Sequence, residues 1–464
     1  MRDIKQSSRW TGAVALLAVP LLAAGLPAAA SEIGMFANSP SRNMVSDATG
    51  LPSSWDPESG ENVKWKQQLG SQSYGGPVLA GGVLYVGTHN GAERNPEVTG
   101  DKGVMMAFNA ADGAFLWQIV HDKLPDGRVH DWPLQGICSG PYVEEDYIYY
   151  VSNRAEVVCA AKQGEIVWSR DMIEEMNVFP HNLAAGNPLV VGDILYTVTG
   201  NGVDEGHINI PAPSAPSFLA LNKRTGETVW ALDLPGNQIL HGQWSNPAYG
   251  VIDGVPQVIF PGGDGWMYGL DPATGEGLWK FDANPKDSIW ELGGAGTRNN
   301  IISTPVVYKD RVYIGVGQDP EHGEGPGNFW VIDATGRGDI TTSGVVWHRG
   351  GEDIGRTIST AAIADGLVYI ADLSGFLYCL DAETGEHYWT YDAFAAVWGS
   401  AFVADGKVYL GDEDGDIAVL RHGKELDVLA EINIGASVYT TPIAEDGVLY
   451  IASRNMLWAL SETR

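Results

Sequence analysis

The 464-residue chain has three cysteines, Cys138, Cys159 and Cys379. So few, and odd in number, they exclude a disulfide-stapled scaffold. No C-x-x-C or C-x-x-C-H occurs, so neither a zinc ribbon nor a covalently attached c-type haem is supported, and the three are expected to be buried, unpaired thiols. Basic residues are scarce too. With 28 Lys+Arg against 58 Asp+Glu the formal net charge is −30, which excludes a protein that holds nucleic acid through its phosphates. Charged residues of both signs make up only 19% while aromatics reach 10%, which is not the composition of a disordered acidic chain. G-x-S-x-G and H-E-x-x-H, the common hydrolase signatures, are missing. Helical periodicity is almost absent, and 171–179 is the best short candidate.

Long apolar runs are confined to the N-terminus. Arg2, Lys5 and Arg9 precede an apolar stretch over 11–30 that is broken by Pro20 and Pro27 and ends in Ala28-Ala29-Ala30. This reads as a secretory signal peptide cleaved near Ala30. It is too interrupted for the ~20 residues of a span, and no cysteine stands at the cleavage point for a lipid anchor. The expectation is a periplasmic or secreted protein that does not span a membrane. Residues 31–61 follow as a Pro/Ser-rich arm.

What is abundant is glycine, at 59 residues, and tryptophan, at 16. Both follow a repeat. A turn leading into a β-branched and aromatic strand recurs eight times, and in seven copies Tyr holds the same place: Tyr85, Tyr149, Tyr196, Tyr313, Tyr369, Tyr409 and Tyr450. A second element ends in a turn glycine with Trp four residues on: Gly113 and Trp117, Gly164 and Trp168, Gly226 and Trp230, Gly275 and Trp279, Gly385 and Trp389. Glycine supplies the positive φ of a tight hairpin, and the flat indole packs on a neighbouring sheet. A copy carrying an insertion ends at Trp347, and the copy over 421–431 has lost its Trp. The eighth copy stops at the C-terminus without a Trp strand, whereas 62–69, with Trp65, is a Trp strand without a repeat. The fold class is therefore all-β: an eight-bladed β-propeller of four-stranded blades, closed by an N-terminal strand that completes the last blade. Length alone would suggest about three domains; the repeat predicts one over 62–464, with Trp65, Trp117, Trp168, Trp230, Trp279, Trp347 and Trp389 as docking residues.

Labelled A to D from the axis outwards, strands alternate in direction, so B–C turns and D–A connections open on one face. All nine long connections fall there, and they carry His89, His121, His130, His181, His207, His241 and His322 together with Trp132, Trp244, Trp290 and Trp398. Asp131, Asp204, Glu205, Asp319, Glu321, Glu324, Arg298 and Arg356 join them. Rigid scaffolds present binding residues on such loops; the plain alternative is that long loops are simply polar. Asp319, Glu321 and His322 are candidates for a divalent-cation site or an acid–base pair. His130, His181 and His241 precede A strands in successive blades and are candidates to bind Zn or Cu together. Asp412-Glu413-Asp414-Gly415-Asp416 and Gly262-Gly263-Asp264-Gly265 read as ordinary B–C turns.

The segments Leu270-Asp271-Pro272-Ala273-Thr274-Gly275-Glu276-Gly277-Leu278-Trp279 and Leu380-Asp381-Ala382-Glu383-Thr384-Gly385-Glu386-His387-Tyr388-Trp389 resemble the tryptophan-docking repeat of the pyrroloquinoline-quinone (PQQ)-like propeller superfamily, which includes quinoprotein alcohol dehydrogenases and BamB-type assembly factors. Proteins carrying this PQQ-binding-like repeat share a scaffold, not one activity. A BamB-like reading implies a non-catalytic, monomeric scaffold binding a protein, glycan or small-molecule ligand on its loop-rich face. A quinoprotein reading implies PQQ and Ca²⁺ as cofactors, with Trp244 or Trp398 as the stacking floor, Asn299 with Asp319 or Glu321 on Ca²⁺, and Arg298 on the quinone. The vicinal Cys-Cys pair and fused cytochrome typical of such dehydrogenases are absent. The third alternative is a different metal-dependent enzyme acting on a sugar or polymer. The candidate ligand-binding residues are His130, Asp131, His181, His207, His241, Trp244, Arg298, Asn299 and Trp398.

Overall fold

The computed structural model describes residues 31–182, 186–318 and 320–462. The signal peptide expected over 1–30 and the candidate residue Asp319 lie outside the described residues. Eight four-stranded antiparallel units follow one another in sequence. The first runs from the axis outwards through Val78–Ala80, Val83–His89, Lys102–Asn109 and Phe115–Asp122. The last has Ile443–Glu445, Val448–Ala452 and Met456–Leu460, and its outer strand is Val63–Gln68 from the other end of the chain, in antiparallel register with Val63 opposite Leu460 and Gln68 opposite Met456. The ring thus closes through strand pairing, which leaves no free edge at the joint. The one α-helix among the described residues, Met172–Met176, is capped by the Asp171 carboxylate, which accepts from the Ile173 and Glu174 amides.

Blade-to-blade docking explains why the repeat pairs Tyr with Trp. In three blades the second-strand Tyr and the outer-strand Trp converge on a single carbonyl in the C–D turn of the next. Tyr196 Oη and Trp230 Nε1 donate to Pro272 O at 2.9 and 3.0 Å. Tyr313 and Trp347 share Ala382 O at 3.0 and 3.1 Å. Tyr450 and Trp65 share Ala110 O across the closure, at 3.3 and 3.1 Å. A carbonyl has two lone pairs, so both donors are satisfied by one acceptor. The indole lies over the turn glycine of the same neighbour: a Cβ on Gly226 would stand 2.9 Å from Trp168 Cε3. Trp279 departs from this pattern. Its neighbour replaces the short turn by an insert, whose Gly338–Asp339 pairs in parallel with Trp279 and Lys280, and the Trp279 indole donates to Gln257 Oε1 of its own blade at 2.6 Å.

The arm before the closing strand travels around the axis. Gly34 bridges Val143, Pro40 O accepts from Tyr249, Ser41 O accepts from Val307, Asn43 exchanges two hydrogen bonds with Ile363, and Val45–Ser46 pairs in parallel with Val403–Ala404. These partners are innermost strands of five blades, and the arm's ends reach the A–B turns at Gly81 and Asp405. The arm therefore occupies the axis on the short-turn side. Its pivot is Arg42, fully buried, whose guanidinium donates to Pro247 O (2.9 Å), Phe36 O (3.0 Å), Asn187 O and Pro188 O (both 3.2 Å). Burial pushes its pKa down to about 9, so it stays charged at neutral pH and is held by carbonyl dipoles.

Candidate functional site: an axial cavity and a histidine cluster

The innermost strands begin with a repeated step, a small polar residue before Pro or Ala, and these residues form a ring around the axis. The Gly140 amide donates to Asn187 Oδ1. The Asn187 amide donates to Asn246 Oδ1 at 2.6 Å, and Asn246 Nδ2 donates to Thr304 Oγ1 at 2.7 Å. The ring continues from the Thr304 amide to Thr360 Oγ1 (3.4 Å), the Thr360 amide to Ser400 Oγ (2.8 Å) and the Ser400 amide to Thr441 Oγ1 (3.1 Å). The innermost strands of the second to eighth blades are thus tied each to the next around the channel.

Above this ring lies a cavity of about 480 Å³ that draws its lining from all eight blades. Phe36 of the arm contributes to it from the short-turn side. The walls carry aromatic rings and uncharged polar groups. Tyr74 stacks on Tyr439 with centroids 5.0 Å apart, and Trp398 stands 4.8 Å from Tyr439. Trp132 and Trp244 line it as well, with Gln72, Gln135, Asn182, Asn187, Asn246 and the ring threonines. Glu321 is its one charged lining residue among those described. Cys138 also faces it; all three cysteines are buried and unpaired, and burial raises the Cys138 thiol to about 12, so it is not a nucleophile at neutral pH.

Beside this cavity three histidines converge. His241 Nε2 is 2.8 Å from His181 Nε2 and 3.2 Å from His207 Nε2. One ligand atom from each of the three lies within 4.8 Å of the others. His181 Nδ1 is 2.7 Å from Val203 O, a contact that only its N–H form satisfies, which in the neutral imidazole leaves a lone pair on Nε2, the nitrogen facing His241. Asp204 shapes the loop that brings His207 in: its carboxylate accepts from the Ile208 and Asn209 amides, and His207 sits at φ +53°. A non-glycine residue there is uncommon and costs about 1–3 kcal/mol. Trp244 joins cluster to cavity, since it lines the cavity, its ring is 5.1 Å from that of His241, and its indole donates to His181 O at 3.1 Å.

The other expected site residues are spread: Trp398 and Glu321 line the axial cavity, and several of the rest are elsewhere. His130 is not in the cluster: its Nδ1 bonds Pro180 O at 2.8 Å and its ring meets Phe179. His207, from a B–C insert, takes the third place instead, because that insert folds over the neighbouring connection. Asp131 is buried as a lock, accepting from Lys123, Asn153 and the Leu124 amide, and burial raises its pKa. Arg298 is committed to Asp282 (2.6 Å) and Asp264 O (2.7 Å). Asn299 lines a separate cavity of about 330 Å³. Glu321 and His322 diverge: the former lines the axial cavity, while His322 packs edge-on against His241 of the cluster, centroids 5.2 Å apart, with its Nε2 bonded to Gly293 O at 2.6 Å. Asp412 accepts amides of Asp414 and Asp416, closing a hairpin turn. The residues that sequence reading missed are Tyr74, Tyr439 and the ring residues Asn187, Asn246, Thr304, Thr360, Ser400 and Thr441; their signal was the recurring polar residue before Pro or Ala.

These features define a PQQ-like propeller. A family model described as outer membrane protein assembly factor BamB matches residues 30–131, 101–322 and 331–429, and the chain belongs to that family. Tetrathionate hydrolase of Acidithiobacillus ferrooxidans is 23% identical over 280 residues, 55% of this chain and 48% of the relative. BamB of Shewanella oneidensis is 22% identical over 306 residues, 63% of this chain and 58% of the relative. The chain thus spans about half the length of the curated relatives it matches. A europium-containing methanol dehydrogenase superposes with a TM-score of 0.65 at 14% identity, covering 94% of this chain and 98% of that one. BamB from Moraxella catarrhalis gives 0.54 at 16%, covering 78% and 94%. At these identities the solved structures show the fold alone.

PQQ, the group this fold implies, does not fit the cavity. It carries three carboxylates, and among the described lining residues there is no Lys or Arg while Glu321 adds a negative charge. Desolvating a polyanion without a cationic partner is strongly unfavourable. Arg298 and Asn299, the residues that the quinoprotein resemblance would place on the cofactor, are not in its lining.

Proposed function

We propose that the protein is an exported, monomeric binding protein whose axial cavity holds a neutral, polyhydroxylated ligand such as the end of a glycan. The observation that carries this is the lining: aromatic rings of Tyr74, Trp244, Trp398 and Tyr439 stand among amides and hydroxyls, and Glu321 is the lone charge among the described lining residues. Aromatic faces pack on the apolar side of a sugar ring while amides and hydroxyls pair with its hydroxyl groups, the usual make-up of a ligand site with few, well-placed polar groups. Family membership supports a second reading, a protein partner held on the rim, since the matching family is described as an assembly factor. A glycan array with a parallel PQQ titration tests the first. Saturable binding of a neutral sugar and none of PQQ is expected. PQQ binding at one equivalent overturns it, as does a silent array together with capture of a peptide ligand.

A further inference from the structure

We infer that His181, His207 and His241 form a binding site for a single first-row divalent transition ion, Zn²⁺ or Cu²⁺, beside the axial cavity and joined to it through Trp244. The site stands apart from the ligand reading and does not depend on it. Three imidazole nitrogens from three separate connections meet at one point, with Nε2–Nε2 separations of 2.8 and 3.2 Å around His241. Zn–N bonds of 2.0–2.1 Å in tetrahedral geometry set neighbouring donors about 3.3 Å apart, so the two separations around His241 are within about half an ångström of what the ion needs, and the three ligand atoms all lie within 4.8 Å of one another. The chemistry of the donors points the same way. Val203 O fixes the His181 proton on Nδ1, so its Nε2 offers a lone pair. His241 Nε2 carries at most one proton to share between its two imidazole neighbours, whereas a cation at the centre is served by all three lone pairs at once. Val203 O is also the kind of outer partner that orients a ligating imidazole and raises its basicity.

The surroundings suit an ion of this class. His181 and His241 are buried, while His207 is half-buried on its loop and supplies the entry side. Imidazole donors favour Zn²⁺ and Cu²⁺ over Mg²⁺ and Ca²⁺, which take oxygen. Three protein donors leave a tetrahedral ion one further position, for water or for a donor atom of a bound ligand. Trp244 touches two of the histidines and lines the cavity.

The test uses untagged full chain, stripped with chelator and titrated with Zn²⁺ and separately with Cu²⁺ by calorimetry, with the stoichiometry checked by elemental analysis. One equivalent is expected to bind with a Kd at or below about 1 μM, and the Cu²⁺ form is expected to show nitrogen hyperfine structure in its electron paramagnetic resonance spectrum. His207→Ala and His241→Ala are each expected to weaken binding about 100-fold or more, while His387→Ala, on an exposed outer strand, leaves it unchanged. His207 is on a half-buried loop, so its variant carries the test if His241→Ala fails to fold. Binding of less than one equivalent overturns the site, and so does one equivalent that His207→Ala leaves at its original affinity.

Discussion

Replacing Arg42 by Met keeps most of the stem volume and removes the guanidinium, which isolates what that group does. Four carbonyls lose their donor: Phe36 O in the arm, Asn187 O and Pro188 O at the start of the third blade, and Pro247 O at the start of the fourth. A buried acceptor left unpaired costs about 1–3 kcal/mol, but water entering from the channel re-solvates some of them, and the desolvation cost of the charge itself disappears. Hydrogen bonds to a charged donor are worth about 1.5–3 kcal/mol each, and with this partial relief the variant is expected to lose about 3 kcal/mol. The arm keeps its pairing of Val45–Ser46 with Val403–Ala404, so the loss should be local first: the arm detaches before the blades unfold. Urea unfolding measures the first quantity and limited proteolysis within 31–61 the second. Ligand affinity should fall as well, because Phe36 leaves the cavity. A variant within about 1 kcal/mol of the parent, with its arm equally protected, would refute the idea that Arg42 pins the arm on the axis.

Asn246→Ala interrupts the channel ring at a residue that both accepts and donates, and it should destabilise by about 1–3 kcal/mol in chemical unfolding; an unchanged midpoint would mean that the ring is ornamental. Gly226→Ala, at φ +73° with Trp168 in the path of its new Cβ, should cost about 2 kcal/mol or more, against about 1 for Gly192→Ala, which is at φ +62° with nothing within 4 Å; equal losses would remove the docking contact from the account. Burial raises Asp264 to about 6 even though its carboxylate accepts from Tyr268 Oη and the Trp266 amide. An acid with a raised pKa binds more protons folded than unfolded, so its contribution is present below about pH 4 and is lost as pH rises to about 6. The melting temperature of the parent relative to Asp264→Asn should therefore fall across that window; a flat or rising difference would contradict the sign.

The architecture was legible because each blade repeats one physical solution. Tyr on the second strand and Trp on the fourth are too regular to belong to anything but stacked sheets, and the orphan strand at 62–69 announced how the ring closes. The long connections could also be sorted to one face from strand alternation alone. Convergence across blades was harder to read. His130 and His207 look equally eligible in sequence, and only the path of the insert around Asp204 decides between them. Arg42 lies in an unremarkable Ser-Arg-Asn-Met stretch, with no signal that its partners are more than a hundred residues away. Arg298, conspicuous on the functional face, proves to be bound to Asp282 because the connection folds back on its own blade. The axial lining escaped notice because its asparagines and threonines gain meaning only when eight blades bring them together.

Titration of a neutral oligosaccharide selected on the array, followed by tryptophan fluorescence in the parent and in Trp398→Ala, tests the central claim most directly. Trp398 stands in the aromatic wall with Tyr74 and Tyr439, and truncating such an anchor costs about 2 kcal/mol, or about 30-fold in affinity. The account predicts saturable binding in the parent, weakened by about that factor in Trp398→Ala with the fold intact by circular dichroism. Equal affinity in the two proteins would place the ligand outside the axial cavity and contradict it.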